Sequence, residues 1–264
     1  MIKLVSYNCN SIRNNAENVK NLLDENDVVF LQEIMLSKSD LPLLFGYNED
    51  FDHTAYVKDR ESEGINEGRP SRGVAIYWRK YLSNVISPLL IDDSIIGIVL
   101  KDTNNDDNQI LFLNVYLPCD SQTTSAFDNY RDALAKLEVI IREQYISNVV
   151  ITGDFNGDPY KGRFWKELCN FIKSLSLVFI DEQLPRDTFT YLCPAKDTTS
   201  WLDHIFCSRQ VVDSINNVRV NYEASIYEHF PLSFEFDFNI NKMSFKRKQC
   251  SVERMVNWHR LSER

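Results

Sequence analysis

Short apolar segments rich in β-branched and aromatic residues dominate this chain, and they constrain its fold more than any other feature. They include VVFLQ, GVAIYW, ILFLNVYL and NVVITGDF. Because several are apolar at nearly every position, the strands that they predict must be covered on both faces. Two stacked sheets with helices outside satisfy this requirement. We therefore expect an α/β protein with a four-layered sandwich, in which two stacked mixed β-sheets are flanked by helices.

Apolar residues repeat with helical spacing in only a few places. Residues 124–145 carry one apolar stripe, and Thr124 or Ser125 is available as its N-cap. A second stripe covers residues 165–175, and a weaker one covers residues 16–23. These segments predict the helices that flank the sheets.

The composition is that of an ordinary globular protein. Of the 264 residues, 44% are hydrophobic and 25% are charged, which excludes a disordered or collagen-like chain. The net charge is 29 − 38 = −9, so an anionic substrate must be held locally, by a metal ion or a small basic patch.

The six cysteines form no CxxC pair, which indicates reduced, mostly buried thiols in a reducing compartment. No apolar run reaches the roughly 18 residues of a membrane span, so we expect an intracellular protein with no membrane partner.

Two segments differ from the rest of the chain. Residues 46–72 contain seven acidic residues and no clear period, which predicts a long loop. Residues 242–264 contain seven Lys or Arg and two Glu, a local charge of +5. We expect one domain over residues 1–240 and a basic linker or tail over residues 241–264. A solvated tail is the simpler explanation, and a basic arm that contacts nucleic acid is the alternative.

Polar residues that suit catalysis occur where the apolar segments begin or end. Strand ends on one rim of a sandwich can converge on a single cleft, although each residue alone is more often a cap or a turn former. The interpretation therefore depends on the whole set, which is Asn8, Asn10, Glu33, Tyr116, Asp154, Asn156, Asp203, Glu228 and His229.

This set suits metal-assisted hydrolysis of a phosphodiester. Carboxylate and amide oxygens without a Cys/His cluster favour Mg²⁺, or Mn²⁺, over zinc. An Asp–His pair can hold a charged imidazole, and Asn and Tyr are neutral donors for phosphate oxygens. The chain contains no G-x-S-x-G, P-loop or G-x-G-x-x-G motif, so serine-hydrolase and nucleoside-triphosphate chemistry have no support.

Six blocks, SYNCN, LQE, NVYLP, ITGDFN, SWLDHI and YEHFPL, occur in this order within residues 1–238. In that order they resemble the endonuclease/exonuclease/phosphatase superfamily, which implies the layered sandwich and a metal-dependent phosphoesterase. The blocks GDFN, DTFTYL and SWLDHIF look most like the endonuclease domain of LINE-type (non-LTR) retrotransposons. The stretch VNWHRLSER is similar to the segment that joins that domain to a reverse transcriptase, which implies fusion to a reverse transcriptase in a longer protein.

The resemblance also implies a metal site. Glu33 would be the principal metal ligand, with Asn8 and Asn10 lining the metal and phosphate site. Glu228 departs from the family pattern, because relatives usually have Asp just before the catalytic His. A Glu can still reach a metal, but its longer side chain changes the geometry and puts the turnover rate in doubt.

The remaining site residues receive catalytic roles by the same resemblance. Asp154 would orient or deprotonate the attacking water, or protonate the leaving oxygen. Asn156 and Tyr116 would hold the phosphate. Asp203 would pair with His229, which would stabilise the charge on phosphorus or serve as the base.

In these relatives a hairpin before the SWLDHI strand helps to choose the DNA site. Residues 189–201 fit such a hairpin, with Pro194 near its tip, and an ordinary surface hairpin is an equally good explanation. Arg13, Arg72 and Lys196 are candidate contacts to the DNA backbone, although a solvated charge is the simpler explanation for each.

The first hypothesis is a Mg²⁺-dependent endonuclease that nicks one strand of double-stranded DNA and leaves a 3′-hydroxyl. In a retroelement that end would prime reverse transcription in the nucleus. The second is a phosphatase or phosphodiesterase of the same fold, acting on inositol phosphates or sphingomyelin. Phosphoinositide phosphatases carry W-C-D-R where this chain has WLDH, which counts against it. The third is a catalytically silent relative that binds nucleic acid or protein.

Overall fold

Two six-stranded sheets account for most of the strands in the structure, a computed structural model that describes residues 1–58, 72–102, 105–223 and 228–238. The first sheet contains β1 (Ile2–Asn8), β2 (Val28–Gln32), β3 (Phe51–Tyr56), β4 (Val74–Arg79), β13 (Ile215–Val220) and β14 (Leu232–Phe236). The second contains β5 (Ile86–Leu90), β6 (Ile95–Asp102), β7 (Asn105–Tyr116), β8 (Asn148–Asp154), β9 (Leu177–Phe179) and β12 (Asp203–Ser208). A separate hairpin is formed by β10 (Tyr191–Cys193) and β11 (Thr198–Ser200).

Three α-helices cover the outer faces of the two sheets. They are α1 (Ala16–Glu25), α2 (Thr124–Glu143) and α3 (Gly162–Ser174). The apolar face of α1 packs on the first sheet, and those of α2 and α3 pack on the second. A third apolar cluster fills the space between the sheets. All five residues of β2 are buried, because one face meets α1 and the other meets the second sheet. The predicted four-layered sandwich is confirmed.

Strand direction brings the polar strand ends together. The sheets are mixed: β1 runs parallel to β2 and β7 runs parallel to β8, whereas the other pairings are antiparallel. The carboxyl ends of β1, β2, β7 and β8 therefore lie at one edge of the sandwich. Because β12 and β14 are antiparallel to β8 and β1, their first residues reach the same edge.

Two local predictions are wrong. Helix α2 is capped by Thr123, whose Oγ1 accepts a hydrogen bond from the Ala126 N–H at 3.1 Å, and Thr124 is already helical. The segment 46–72 is not one continuous loop, because it contains β3, which pairs with β4 beyond the segment. Residues 59–71 of that segment lie outside the described residues, as does the predicted basic tail over residues 241–264.

Two further expectations concern the burial of the cysteines and the presence of a membrane span. The five cysteines of the described ranges are free, but only Cys9 and Cys207 are buried, so the expectation of mostly buried thiols is wrong. Within the same ranges, no helix is long and apolar enough to cross a membrane.

Candidate active site

Asn8, at the end of β1, joins carboxylates from both sheets. Its Nδ2 donates to Glu33 Oε1 at 2.9 Å and to Asp154 Oδ2 at 3.0 Å. Asn8 and Asp154 are buried, whereas Glu33 is half-buried and follows β2 with a left-handed φ of 51°. The two carboxylates are thus held on either side of one amide, and Glu33 is the more accessible.

Asp203 and His229 form a hydrogen-bonded pair beside Asp154. Asp203 Oδ2 lies 2.9 Å from His229 Nδ1, and His229 Nε2 lies 3.9 Å from Asp154 Oδ2. Burial alone lowers the pKa of His229, but the charges of Asp203, Asp154 and Glu33 and the hydrogen bond to Asp203 raise it to about 9. The imidazole is therefore cationic at neutral pH.

Asp154 lies between these groups. Burial raises its pKa, and the charges of Asp203 and Glu33 raise it further, while His229 and the Asn8 hydrogen bond oppose them; the result is a pKa of about 7. A carboxyl group with this pKa can both accept and donate a proton near neutral pH.

The backbone around Asp154 requires a glycine. Gly153 has a φ of 141°, and a Cβ at this position would lie 2.0 Å from the Val115 carbonyl oxygen. Only glycine lets β8 approach β7 this closely, which places Asp154 directly opposite Tyr116 in the parallel register.

Tyr116 and Asn156 supply neutral donors. Burial raises the pKa of the Tyr116 phenol well above its usual range, and Glu33 and Asp154 raise it further through their charges and the hydrogen bond to Glu33. Tyr116 is therefore protonated at any physiological pH. Asn156 adopts a left-handed φ of 51°, donates its N–H to Asp154 Oδ1 at 3.0 Å, and donates from Nδ2 to the Leu117 carbonyl at 2.9 Å.

Asn10 and Glu228 lie next to this group. The Asn10 N–H donates to Asn8 Oδ1 at 3.1 Å, so the Asn8 amide presents its nitrogen, and not its oxygen, to the carboxylates. Glu228 is half-buried, and its carbonyl accepts the Leu192 N–H at 2.7 Å. The structure thus attaches the residue before His229 to β10 of the hairpin.

The three predicted basic contacts lie on the surface. Arg13 forms an ion pair with Asp40 at 2.7 Å. Arg72 is exposed with a left-handed φ of 73°, and its carbonyl accepts the Met35 N–H at 3.1 Å. Lys196 is exposed in the turn between β10 and β11, so the predicted hairpin is confirmed while its role stays a prediction.

Sequence reasoning missed two hairpin residues that support the pair formed by Asp203 and His229. Thr190 Oγ1 accepts the N–H of Asp203 at 2.9 Å and that of Leu202 at 3.0 Å. The Tyr191 ring packs on His229 with centroids 4.9 Å apart. Burial and the nearby Glu228 raise the pKa of Tyr191 to about 12. The block DTFTYL gave no signal for these contacts beyond its hairpin pattern.

The donor set fits a hard divalent cation. Asp154, Asp203 and His229 offer ligand atoms within 4.8 Å of one another, but the imidazole is charged and its Nδ1 donates to Asp203. Glu33 is more accessible than Asp154 and Asp203, and a cation beside it would offset part of the negative charge of these three carboxylates. Asp203 Oδ1 is buried with no hydrogen-bond partner in the described part of the chain, so acceptor capacity remains here.

A family model described as the Endonuclease/Exonuclease/phosphatase family matches residues 5–220. The chain belongs to this family. Members of the endonuclease/exonuclease/phosphatase family are hydrolytic, and the site described above lies within the matched residues except for Glu228 and His229.

Solved structures share the endonuclease/exonuclease/phosphatase fold at low sequence identity. A 3′ phosphatase from Neisseria bound to a product DNA hairpin is 19% identical with a TM-score of 0.70, over 90% of this chain and 100% of that chain. An AP endonuclease from Leishmania major is 13% identical with a TM-score of 0.71, over 90% and 88%. The endonuclease domain of TRAS1, a telomere-specific non-LTR retrotransposon, is 12% identical with a TM-score of 0.65, over 90% and 99%.

The search of curated proteins found no match. The family match and the arrangement of Asp154, His229 and Glu33 support a nuclease or a phosphatase of the endonuclease/exonuclease/phosphatase family.

Proposed function

We propose that this chain is a divalent-metal-dependent DNA endonuclease that nicks one strand and leaves a 3′-hydroxyl. The observation that supports the proposal most is the position of Asp154, whose Oδ2 is bonded to Asn8 at 3.0 Å and lies 3.9 Å from the charged His229. This arrangement combines a proton-transfer group with a cation that can stabilise negative charge on phosphorus.

Each side chain has a role in the proposed hydrolysis. Asp154 takes a proton from the attacking water or returns one to the leaving oxygen, as its pKa of about 7 allows. His229 is held in its charged form by Asp203 and donates to a phosphate oxygen. Tyr116 and Asn156 bind phosphate oxygens as neutral donors. Mg²⁺, or Mn²⁺, beside Glu33 would supply Lewis-acid charge neutralisation at the phosphate.

We also propose a retroelement context. The blocks GDFN, DTFTYL and SWLDHIF support it, and the TRAS1 endonuclease domain shares the fold. In that context the chain acts in the nucleus on double-stranded DNA as part of a longer protein with a reverse transcriptase, and the 3′-hydroxyl primes reverse transcription.

Nicking of supercoiled plasmid tests the proposal. With Mg²⁺ at low salt we expect conversion to open circles, and we expect EDTA to abolish it. Asp154→Ala should lower the rate by about 10²- to 10⁴-fold, because it removes the proton-transfer group. Asp213→Ala is the matched control, because Asp213 is exposed beyond the opposite end of β12.

Unchanged nicking by Asp154→Ala, or nicking that survives EDTA, would overturn the assignment. Release of inorganic phosphate from a 3′-phosphorylated DNA hairpin without any nicking would indicate a phosphatase instead. Mapping the nicks and the chemistry of the new ends would test the 3′-hydroxyl product.

DNA binding should be modest and strongly dependent on salt. The net charge of −9 opposes binding, so attraction has to come from a few local cations, each of which releases counterions on contact with a phosphate. Fluorescence anisotropy with a labelled duplex should show log Kd rising linearly with log salt concentration. Affinity that does not change with salt would contradict a phosphate-contacting DNA site.

A further inference from the structure

His204 and Asp181 form a second histidine–carboxylate pair, separate from the pair at the active site. His204 follows Asp203 in β12, so the two side chains point to opposite faces of the sheet. His204 and Asp181 are both 0% exposed. A buried pair of this kind is costly unless every polar atom has a partner.

Both ring nitrogens of His204 face acceptors. Nε2 lies 2.8 Å from the Gly157 carbonyl oxygen, and Nδ1 lies 2.8 Å from Asp181 Oδ2. Asp181 Oδ1 accepts the Ile205 N–H at 2.7 Å. The Gly157 carbonyl oxygen can only accept, so Nε2 carries hydrogen. An imidazole with hydrogen on both nitrogens, and therefore a positive charge, satisfies both contacts beside an Asp181 carboxylate. Burial lowers the pKa of His204, but the charge and hydrogen bond of Asp181 and the bond to Gly157 outweigh it and raise the pKa.

Aromatic rings surround the His204 imidazole, with centroids 5.3–6.0 Å from it. Their negative faces can stabilise a cation that water does not reach. The rings belong to Phe155, Trp165, Phe179, Trp201 and Phe206.

The hydrogen bond to Gly157 holds the turn that carries Asn156. That turn departs from regular structure, because Asn156 has a left-handed φ of 51°, a conformation that asparagine adopts more readily than most residues. The Phe155 N–H donates to the Leu202 carbonyl at 2.9 Å, so the turn is also tied to the residue before Asp203. His204 thus contacts the turn from the side opposite the site.

We propose that His204 is a positioning residue for this site: through Gly157 and Asp181 it holds the turn that carries Asn156 against the strand that carries Asp203. The inference rests on the proposed function, because it assigns Asn156 and Asp203 to phosphate hydrolysis. A displacement of about 1 Å at such groups can lower a reaction rate by about 100-fold.

His204→Phe fills the aromatic surroundings but removes both hydrogen bonds. We expect the single-turnover nicking rate at saturating DNA to fall about 10- to 100-fold while Kd for DNA changes less than about threefold. His204→Gln keeps an amide donor for the Gly157 carbonyl and should recover part of the rate. Phe179→Leu is the matched control, because it disturbs the same surroundings without touching either hydrogen bond, and it should nick at nearly the wild-type rate.

NMR gives a second measurement that does not depend on activity. At pH 7 the ¹⁵N shifts of the His204 imidazole should show hydrogen on both nitrogens, and the Asn156 amide signals should move in His204→Phe and His204→Gln but not in Phe179→Leu. The proposal is overturned if Asn156 signals stay in place, or if the variants that fold nick within about threefold of Phe179→Leu. If the wild-type protein nicks no DNA, the proposed function fails, and the NMR result alone decides whether His204 positions the turn.

Discussion

At the scale of single residues, the two histidine–carboxylate pairs differ in the group that lies opposite the Nε2 atom of each imidazole. Within the described ranges, no hydrogen bond reaches His229 Nε2, which lies 3.9 Å from Asp154 Oδ2, so it can donate to a substrate. His204 Nε2 is bonded to a carbonyl at 2.8 Å, so both of its nitrogens are already used. In the proposed function, the same residue types therefore serve catalysis in one place and structure in the other.

The buried charge on His204 makes stability depend on pH. The folded state raises its pKa above the ordinary value of 6.5, so its contribution is fully present below about pH 6.5 and is lost as pH rises through the folded pKa. Across that window the free energy of unfolding should fall by up to about 1.4 kcal/mol per pH unit, the slope for one proton.

Urea unfolding of wild type and of the double variant His204→Phe with Asp181→Asn from pH 6 to pH 9 isolates this contribution, because the double variant removes the whole buried pair and the other titrating groups are common to both proteins. The stability difference between them should shrink as pH rises. A difference that stays constant with pH would contradict a charged His204.

At the scale of secondary-structure elements, the polar residues at the strand ends could be predicted from the sequence, but the hairpin contacts that support them could not. Apolar segments with polar residues at their ends identify Asn8, Glu33 and Asp154, because parallel strands end at the same edge of a sheet. The contacts of Thr190 and Tyr191 depend on where the hairpin docks, as when the Phe230 N–H bonds the Thr190 carbonyl at 2.8 Å. Such long-range docking leaves no local pattern in the sequence.

The N-cap of α2 is a second case in which the sequence alone does not determine the structure, here to within one residue. The run Thr123–Thr124–Ser125 offers three side chains that can cap a helix, so the sequence alone does not choose among them. Thr123 is selected by its backbone, which is extended with φ −95° and ψ 159°, and this conformation lets its Oγ1 reach the Ala126 N–H.

Thr123→Ala should therefore lower the free energy of unfolding by about 1 kcal/mol, because the Ala126 N–H loses its partner. Thr124→Ala is the control, because Thr124 is exposed inside the first turn and alanine is the better helix former. It should leave stability unchanged or slightly higher. Urea unfolding measures both, and equal losses in the two variants would contradict the capping assignment.

At the scale of the whole molecule, a buried polar contact joins the two sheets behind the site. Asn114 of β7 donates from Nδ2 to the carbonyls of Leu31 at 2.9 Å and Ala75 at 3.0 Å in the first sheet. Its Oδ1 accepts a hydrogen bond from Gln32 Nε2 at 2.6 Å. Because Gln32 directly precedes Glu33, this contact fixes the sheet that carries Glu33 relative to the sheet that carries Tyr116, Asp154 and Asp203.

Replacing Asn114 with leucine should destabilise the sandwich, because it removes three buried hydrogen bonds and leaves their partners unsatisfied. We expect Asn114→Leu to lower the free energy of unfolding by about 2–4 kcal/mol. Thr152 lies opposite Asn114 in the register, and its buried hydroxyl has no hydrogen-bond partner among the described residues. Thr152→Val removes that hydroxyl without changing the shape, so it should be neutral or stabilising by up to about 1 kcal/mol. Urea unfolding distinguishes these outcomes at neighbouring positions. A similar loss of stability in both variants would mean that packing, and not the polar contact, holds the two sheets together.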